Sequence, residues 1–120
     1  ILLDAPCSAL GVVRRHPDIK LLRSPADVDR AVALQAELLA ALWPLLRPGG
    51  RIVYATCTVL HRENRDQTGR FVQATPGAAP APDRPPLQIR PGEANRDGFY
   101  YACIDKQETA PPIRVSDFNA

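Results

Sequence analysis

The chain has 120 residues, 45% hydrophobic and 23% charged, with a formal net charge of +2. That is room for one small globular domain. No apolar run approaches the roughly 18 residues that span a bilayer, and the mild positive excess permits nucleic-acid contact without requiring it. Three cysteines without paired spacing (Cys7, Cys57 and Cys103) argue against a disulfide framework and for a reducing, cytoplasmic setting; with two histidines and no Cys-x-x-Cys, no metal site is expected.

Ile1-Leu2-Leu3-Asp4 lacks the basic flank and cleavage site of a signal peptide. It reads as a buried strand cut in mid-course, stopped by Pro6, which cannot donate to a sheet ladder. The chain contains no Met, and a fragment of a longer protein is expected. A loop follows from Cys7 to about Arg23. Ser24-Pro25-Ala26-Asp27 then supplies an N-cap, a proline at the first helical position and an acid at the third. Val28, Val32, Gln35, Leu38, Leu39 and Leu42 recur at three-and-four spacing, so an amphipathic helix is predicted, ending or kinking near Trp43 before Pro44. Arg47-Pro48-Gly49-Gly50 makes a turn, and Arg51 to Ala55 reads as a second buried strand.

Strand, helix and strand with short joins form a βαβ unit, with a right-handed crossover expected. Asn64 to Ala74 reads as another helix. Residues 75 to 92 hold six of the thirteen prolines and read as a loop or an edge element. Gly98 to Asp105 reads as a final strand. The expected domain is 1–108, and 109–120 is a tail without periodicity, expected to be poorly packed.

In an open α/β sheet, ligands bind beyond the carboxyl ends of the strands. Asp4-Ala5-Pro6-Cys7 and Ala55-Thr56-Cys57-Thr58 occupy that position on two strands joined by one crossover. Neighbouring strands lie about 4.8 Å apart, so Asp4, Cys7 and Cys57 are expected to converge. Any one cysteine is more often a small buried hydrophobe than a nucleophile. Two thiols and a carboxylate together at a ligand rim are hard to explain by packing alone. Cys103 lies within the last strand with no acidic partner and is read as structural.

The motifs carry a resemblance. Asp4-Ala-Pro-Cys7-Ser-Ala-Leu-Gly11, followed by Val-Val-Arg-Arg-His-Pro-Asp18, resembles motif IV of the RsmB (Sun/Fmu) RNA cytosine-5 methyltransferases. Pro48-Gly-Gly50 leading to Tyr54-Ala-Thr-Cys57-Thr-Val-Leu60 resembles their motif VI, and Asp97-Gly-Phe-Tyr-Tyr-Ala102 their closing strand. The likeness covers residues 1 to 105, with the blocks in the family's order. It implies the C-terminal half of a Rossmann-like α/β catalytic domain, with parallel strands, flanking helices and a last antiparallel strand. The cofactor implied is S-adenosylmethionine and the partner is RNA: small-subunit ribosomal RNA first, transfer RNA as the alternative.

The resemblance also implies roles. Cys57 would be the nucleophile that adds to cytosine C6, because aromatic C5 attacks a sulfonium methyl group poorly until such an adduct makes it enamine-like. Cys7 would assist adduct breakdown and product release. Asp4 would contact the base and the cofactor. Arg14, Arg15 and Lys20, in a basic loop beside the pocket, are candidates for RNA phosphate contact, against the default of a solvated surface. Ala9 stands where many relatives have Gly, a change expected to be tolerated. His61 and Arg62 replace the common Pro and Glu, while Glu63-Asn64 are retained. The family's glycine-rich cofactor loop lies before motif IV and is not in this chain, so the chain alone is expected to be inactive. Two rivals differ in class: a non-catalytic RNA-binding or assembly module that keeps the fold, and a thiol hydrolase or redox protein, which lacks a plausible His partner.

Overall fold

A computed structural model of the chain describes residues 1–12, 18, 23–93 and 96–108. Five strands make one sheet: β1 (Leu2–Asp4), β2 (Arg51–Thr56), β3 (Ala78–Pro80), β4 (Leu87–Ile89) and β5 (Phe99–Lys106). Among the described residues two helices of more than one turn flank it, α1 (Pro25–Leu42) and α2 (Arg65–Ala74). The strand order is β1-β2-β5-β3, with β4 also paired to β5. β1 and β2 are parallel, Asp4 lying opposite Ala55, and β5 runs antiparallel to β2 from Arg51 opposite Asp105 to Thr56 opposite Tyr100. The expected βαβ unit and antiparallel closing strand are therefore present.

Local chemistry sets the element ends. At the start of α1 the Ser24 hydroxyl accepts from the Asp27 N–H at 3.2 Å, and the Asp27 carboxylate accepts from the Ser24 N–H at 2.8 Å. This reciprocal cap satisfies two otherwise orphaned donors, stabilising the helix by about 1 kcal/mol. α1 stops at Leu42 and continues as one tight turn, Trp43–Leu45, because Pro44 cannot donate to the helical ladder. Gly49 then takes φ 81, the left-handed region, and its N–H reaches the Lys106 carbonyl at 2.7 Å. That turn brings β2 back beside β5.

The core is one cluster. Leu3 and Ala5 of the β1 segment, Ile52 and Tyr54 of β2, and Tyr100 and Ala102 of β5 pack with Leu39 and Leu46, and Leu38, Leu42, Trp43 and Phe71 close over them. On β5, Tyr100, Ala102 and Ile104 are buried and alternate with less buried neighbours, as a period of two requires. Cys103 falls on the other face, opposite Val53. The Tyr54 and Tyr100 rings meet edge to face at 6.3 Å between centroids.

The proline-rich stretch is more ordered than a loop. Both of its short strands line the same edge of β5, β3 along residues 104–106 and β4 along 99–101. At the other side of the sheet, β1 is an edge among the described residues, and Leu2 is 71% exposed. An uncovered apolar edge templates pairing with another chain. The 120-residue polypeptide made alone is therefore expected to associate, seen by light scattering as more than one copy per particle. A monodisperse monomer with a cooperative melt would show that β1 needs no cover.

Candidate thiol site at the carboxyl edge of the sheet

Pairing of β1 with β2 places Cys7 and Cys57 just past the carboxyl ends of two adjacent parallel strands. Their Sγ atoms lie 3.3 Å apart, in hydrogen-bonding contact, and both thiols are free and half-buried. Asp4, the last residue of β1, is exposed at the same rim, close enough for its charge to act on Cys57. The two cysteines expected to converge are in contact, and Asp4 ends β1 at the same rim.

The approach is enforced by main chain. After Cys7, Ala9 takes φ 62 and the loop turns through residues 10–12. Gly11 donates its N–H to the Cys57 carbonyl at 2.7 Å and accepts from the Gly98 N–H at 2.6 Å. One loop is thus zipped between the segments that follow β2 and precede β5. The left-handed φ at Ala9 explains why glycine suits that position: a side chain there carries a modest steric cost, which alanine bears as the smallest of them.

The contact makes the two thiols unequal. The hydrogen bond from Cys7 lowers the Cys57 pKa to about 7, against burial and the charges of Asp4 and Glu63, which oppose a thiolate. The same bond, with burial, pushes the Cys7 thiol far above its ordinary range. The contact therefore favours the thiolate at Cys57 and the S–H at Cys7. A thiolate, not a thiol, is the nucleophilic form of cysteine.

Beneath the thiols lies a buried polar layer in which sequence reasoning assigned no roles. Glu63 and Asn64 are fully buried, as are Ser8, Gln35, Thr56 and Thr58 or nearly so. The Glu63 carboxylate accepts from the Ser8 N–H at 2.8 Å, the Ser8 hydroxyl at 2.6 Å and the Gln35 amide at 3.1 Å. Asn64 accepts from the Thr56 hydroxyl at 2.6 Å and donates to the Thr58 carbonyl at 3.0 Å and to Gln88 at 2.8 Å. Although Asn64 occupies the N-cap position of α2, its side chain makes no capping bond. Helix α2 begins at Arg65, one residue later than the sequence suggests. One clue was available: Gln35, a polar residue in the apolar stripe of α1, needs a buried partner.

Arg14, Arg15 and Lys20, the candidate RNA contacts, lie outside the described residues, as does the tail 109–120. An apolar groove of about 520 Å³ runs between α1 and α2, lined among others by Val32, Ala36, Trp43 and Phe71. None of Asp4, Cys7 and Cys57 lines it. Among the described residues no group of three His, Cys, Asp or Glu could hold a metal ion, and no helix is long and apolar enough to cross a membrane.

Comparison with known proteins adds the family. Residues 1–105 match the family model described as 16S rRNA methyltransferase RsmB/F. The chain belongs to this family. It is 57% identical over 111 residues to the ribosomal RNA small subunit methyltransferase B of Salmonella paratyphi B, covering 89% of the chain and 26% of that protein. The crystal structure of NSun6 from Pyrococcus horikoshii with SFG superposes with a TM-score of 0.75 at 28% identity, over 88% of this chain and 29% of that one. A methyltransferase homolog protein from the same organism gives 0.72 at 25% identity, over 88% and 38%. The chain therefore spans about a quarter of the length of the curated relative. The fold is that of part of a Rossmann-like methyltransferase.

Proposed function

We propose that the chain is the C-terminal part of the catalytic domain of an enzyme that transfers methyl from S-adenosylmethionine to C5 of a cytosine in small-subunit ribosomal RNA, with transfer RNA as the alternative substrate. The observation that carries this reading is the 3.3 Å thiol pair at the carboxyl edge of the sheet, one member of which is depressed to about 7. The family and the relatives' names support the substrate class.

Cys57 acts first. Its thiolate adds to C6 of the cytosine, forming a C–S bond and moving electron density to C5, which becomes enamine-like. Bound S-adenosylmethionine supplies an electrophilic sulfonium methyl group to that carbon. A base then takes the C5 proton, the electrons of that bond restore the C5–C6 double bond, and Cys57 leaves as thiolate. Cys7 is placed to serve this last stage. While Cys57 is anionic, Cys7 must keep its proton; once Cys57 is a neutral thioether, that constraint lifts. Cys7 can then give its proton to solvent, and the thiolate so formed is placed to take the C5 proton, which times its action to follow adduct formation.

The residues present fit one side of a cofactor site. Asp4 ends β1 exposed at the rim beside Cys57, where a carboxylate can accept from the cofactor or the base. SFG, present in the NSun6 structure, is an S-adenosylmethionine analogue, which favours the same cofactor here. Among the described residues no glycine-rich loop follows a strand at this rim, and the chain by itself is proposed not to turn over. The half-buried thiols further require the target cytosine to leave its stack or to start unpaired.

The test uses the full-length protein that carries this chain, S-adenosylmethionine and RNA bearing 5-fluorocytidine. Fluorine at C5 cannot leave as a proton, so a covalent protein–RNA complex that survives denaturation should accumulate, with the RNA mapped to Cys57 by mass spectrometry. If no complex forms across a broad RNA panel while the cofactor is bound, the enzymatic reading is wrong and a non-catalytic RNA-binding module becomes the better one.

A further inference from the structure

We infer that Glu63 is a positioning residue whose buried carboxylate clamps the Cys7 loop against the segment carrying Cys57, so that the thiol–thiol contact depends on it. The inference rests on the reading of the pair as reactive thiols. It concerns a residue that touches neither sulfur through a hydrogen bond.

Glu63 is fully buried, and both of its carboxylate oxygens are engaged. Two of its three donors come from Ser8, the residue after Cys7. The Ser8 hydroxyl also lies 2.9 Å from the hydroxyl of Thr58, the residue after Cys57. The third donor is Gln35 of α1, whose amide also reaches the Pro6 carbonyl at 2.9 Å, one residue before Cys7. The Glu63 carbonyl meanwhile accepts from the Tyr54 hydroxyl of β2 at 2.6 Å. One residue therefore gathers the neighbours of both cysteines and ties them to the core strand and helix.

Electrostatics makes this placement informative. Removing a carboxylate from water is costly unless every lone pair finds a donor. A carboxylate near Cys57 also works against the thiolate, as Asp4 does; among the described residues these two and Cys7 are the titratable groups that act on it most. A carboxylate here thus weakens thiolate formation through its charge. Its compensating contribution is geometric: an acceptor with two oxygens can hold the N–H and the hydroxyl of Ser8 together, and the loop so fixed delivers the Cys7 hydrogen bond, the largest influence lowering Cys57.

The two contributions have opposite signs, which yields a test independent of methyl transfer. In the full-length protein, the rate of Cys57 alkylation by iodoacetamide is followed against pH by peptide mass spectrometry, for wild type, Glu63→Gln, Glu63→Asp and Ser8→Ala. Wild type should show a midpoint of about 7. Glu63→Gln presents an amide N–H₂ where an acceptor is needed; the Cys7 loop is released, and the midpoint climbs towards the ordinary thiol value of about 8.5, slowing alkylation at pH 7 about tenfold. Glu63→Asp, which keeps two acceptors, should recover part of the shift. Ser8→Ala, which loses the hydroxyl but keeps the N–H bond, should move the midpoint the same way by less, and it serves if Glu63→Gln does not fold. A midpoint that stays or falls in Glu63→Gln, as loss of a negative charge alone dictates, overturns the positioning role. A wild-type midpoint already near 8.5 instead overturns the reading of the pair, whatever Glu63 does.

Discussion

Cys57→Ala in the full-length protein is expected to lower methyl transfer by at least about 10⁴-fold and to leave no covalent RNA complex, because no other group adds to C6 in its place. Cys7→Ala should also stop turnover, but in the opposite way. Adduct formation needs only the Cys57 thiolate, so the methyl group is still transferred. Breakdown loses the thiol that lies 3.3 Å from the leaving sulfur, and the covalent complex should accumulate with ordinary cytosine RNA on a denaturing gel. The pH dependence supplies a second signature. In wild type the hydrogen bond from Cys7 holds Cys57 at about 7, so adduct formation rises as pH passes through 7 and levels off above it. Without Cys7 the chief lowering influence is gone while burial, Asp4 and Glu63 still oppose the thiolate. The rise should then move to higher pH, leaving adduct formation slow at pH 7 and recovering towards pH 9. Cys7→Ala enzyme that turns over normally and traps nothing would remove Cys7 from adduct breakdown.

Gly11→Ala is the backbone change expected to cost most. A Cβ on Gly11 would stand 2.5 Å from the Cys57 carbonyl oxygen and closer still to that of Gly98. Both are main-chain atoms, so no rotamer change relieves the overlap. The same residue makes two short main-chain hydrogen bonds, to Cys57 and from Gly98, which separation of the segments would lengthen. Overpacking costs about 1–3 kcal/mol, and the main-chain overlap places this change at the upper end, about 3 kcal/mol, measured by denaturant unfolding of the full-length protein. The Cys57 alkylation midpoint should rise as well, since the loop that carries Cys7 is pushed away. Gly69→Ala is the contrast. Gly69 lies in α2, exposed, with nothing within 4 Å of a new Cβ, and it should stabilise by about 0.5–1 kcal/mol through helix propensity. A loss below about 1 kcal/mol in Gly11→Ala would mean that the loop has slack the short hydrogen bonds do not suggest.

Much of this architecture was legible in the residues. Ser24, Pro25 and Asp27 announce the start of α1 because capping is local chemistry, completed within four residues. The apolar run into β2 and the aromatic run into β5 declare strands of a buried sheet. Six prolines between residues 75 and 92 left it open whether that stretch was loop or edge. β3 and β4 exist because β5 offers each a free edge for three residues, and Pro80, missing an N–H, sits where an edge strand tolerates it. The polar layer was less legible. Glu63 and Asn64 stand at the predicted start of α2, after the polar His61 and Arg62, and nothing local marks them as core, yet both are fully buried. Their partners Ser8, Gln35 and Gln88 lie 24 to 55 residues away, beyond the reach of any local pattern.

What the sequence determined alone is the kind of site: two cysteines and an aspartate at the carboxyl ends of parallel strands, since strand ends, turns and the crossover all follow from short-range preferences of the chain. What only the tertiary structure decided is that the two sulfurs touch, that their contact favours the thiolate at Cys57, and that a buried carboxylate holds the residues beside them. Those outcomes depend on the register of β1 against β2 and on hydrogen bonds that span 50 residues or more. Such contacts form only when the core places both partners at once, and a difference of an ångström decides whether two thiols share a proton or titrate apart.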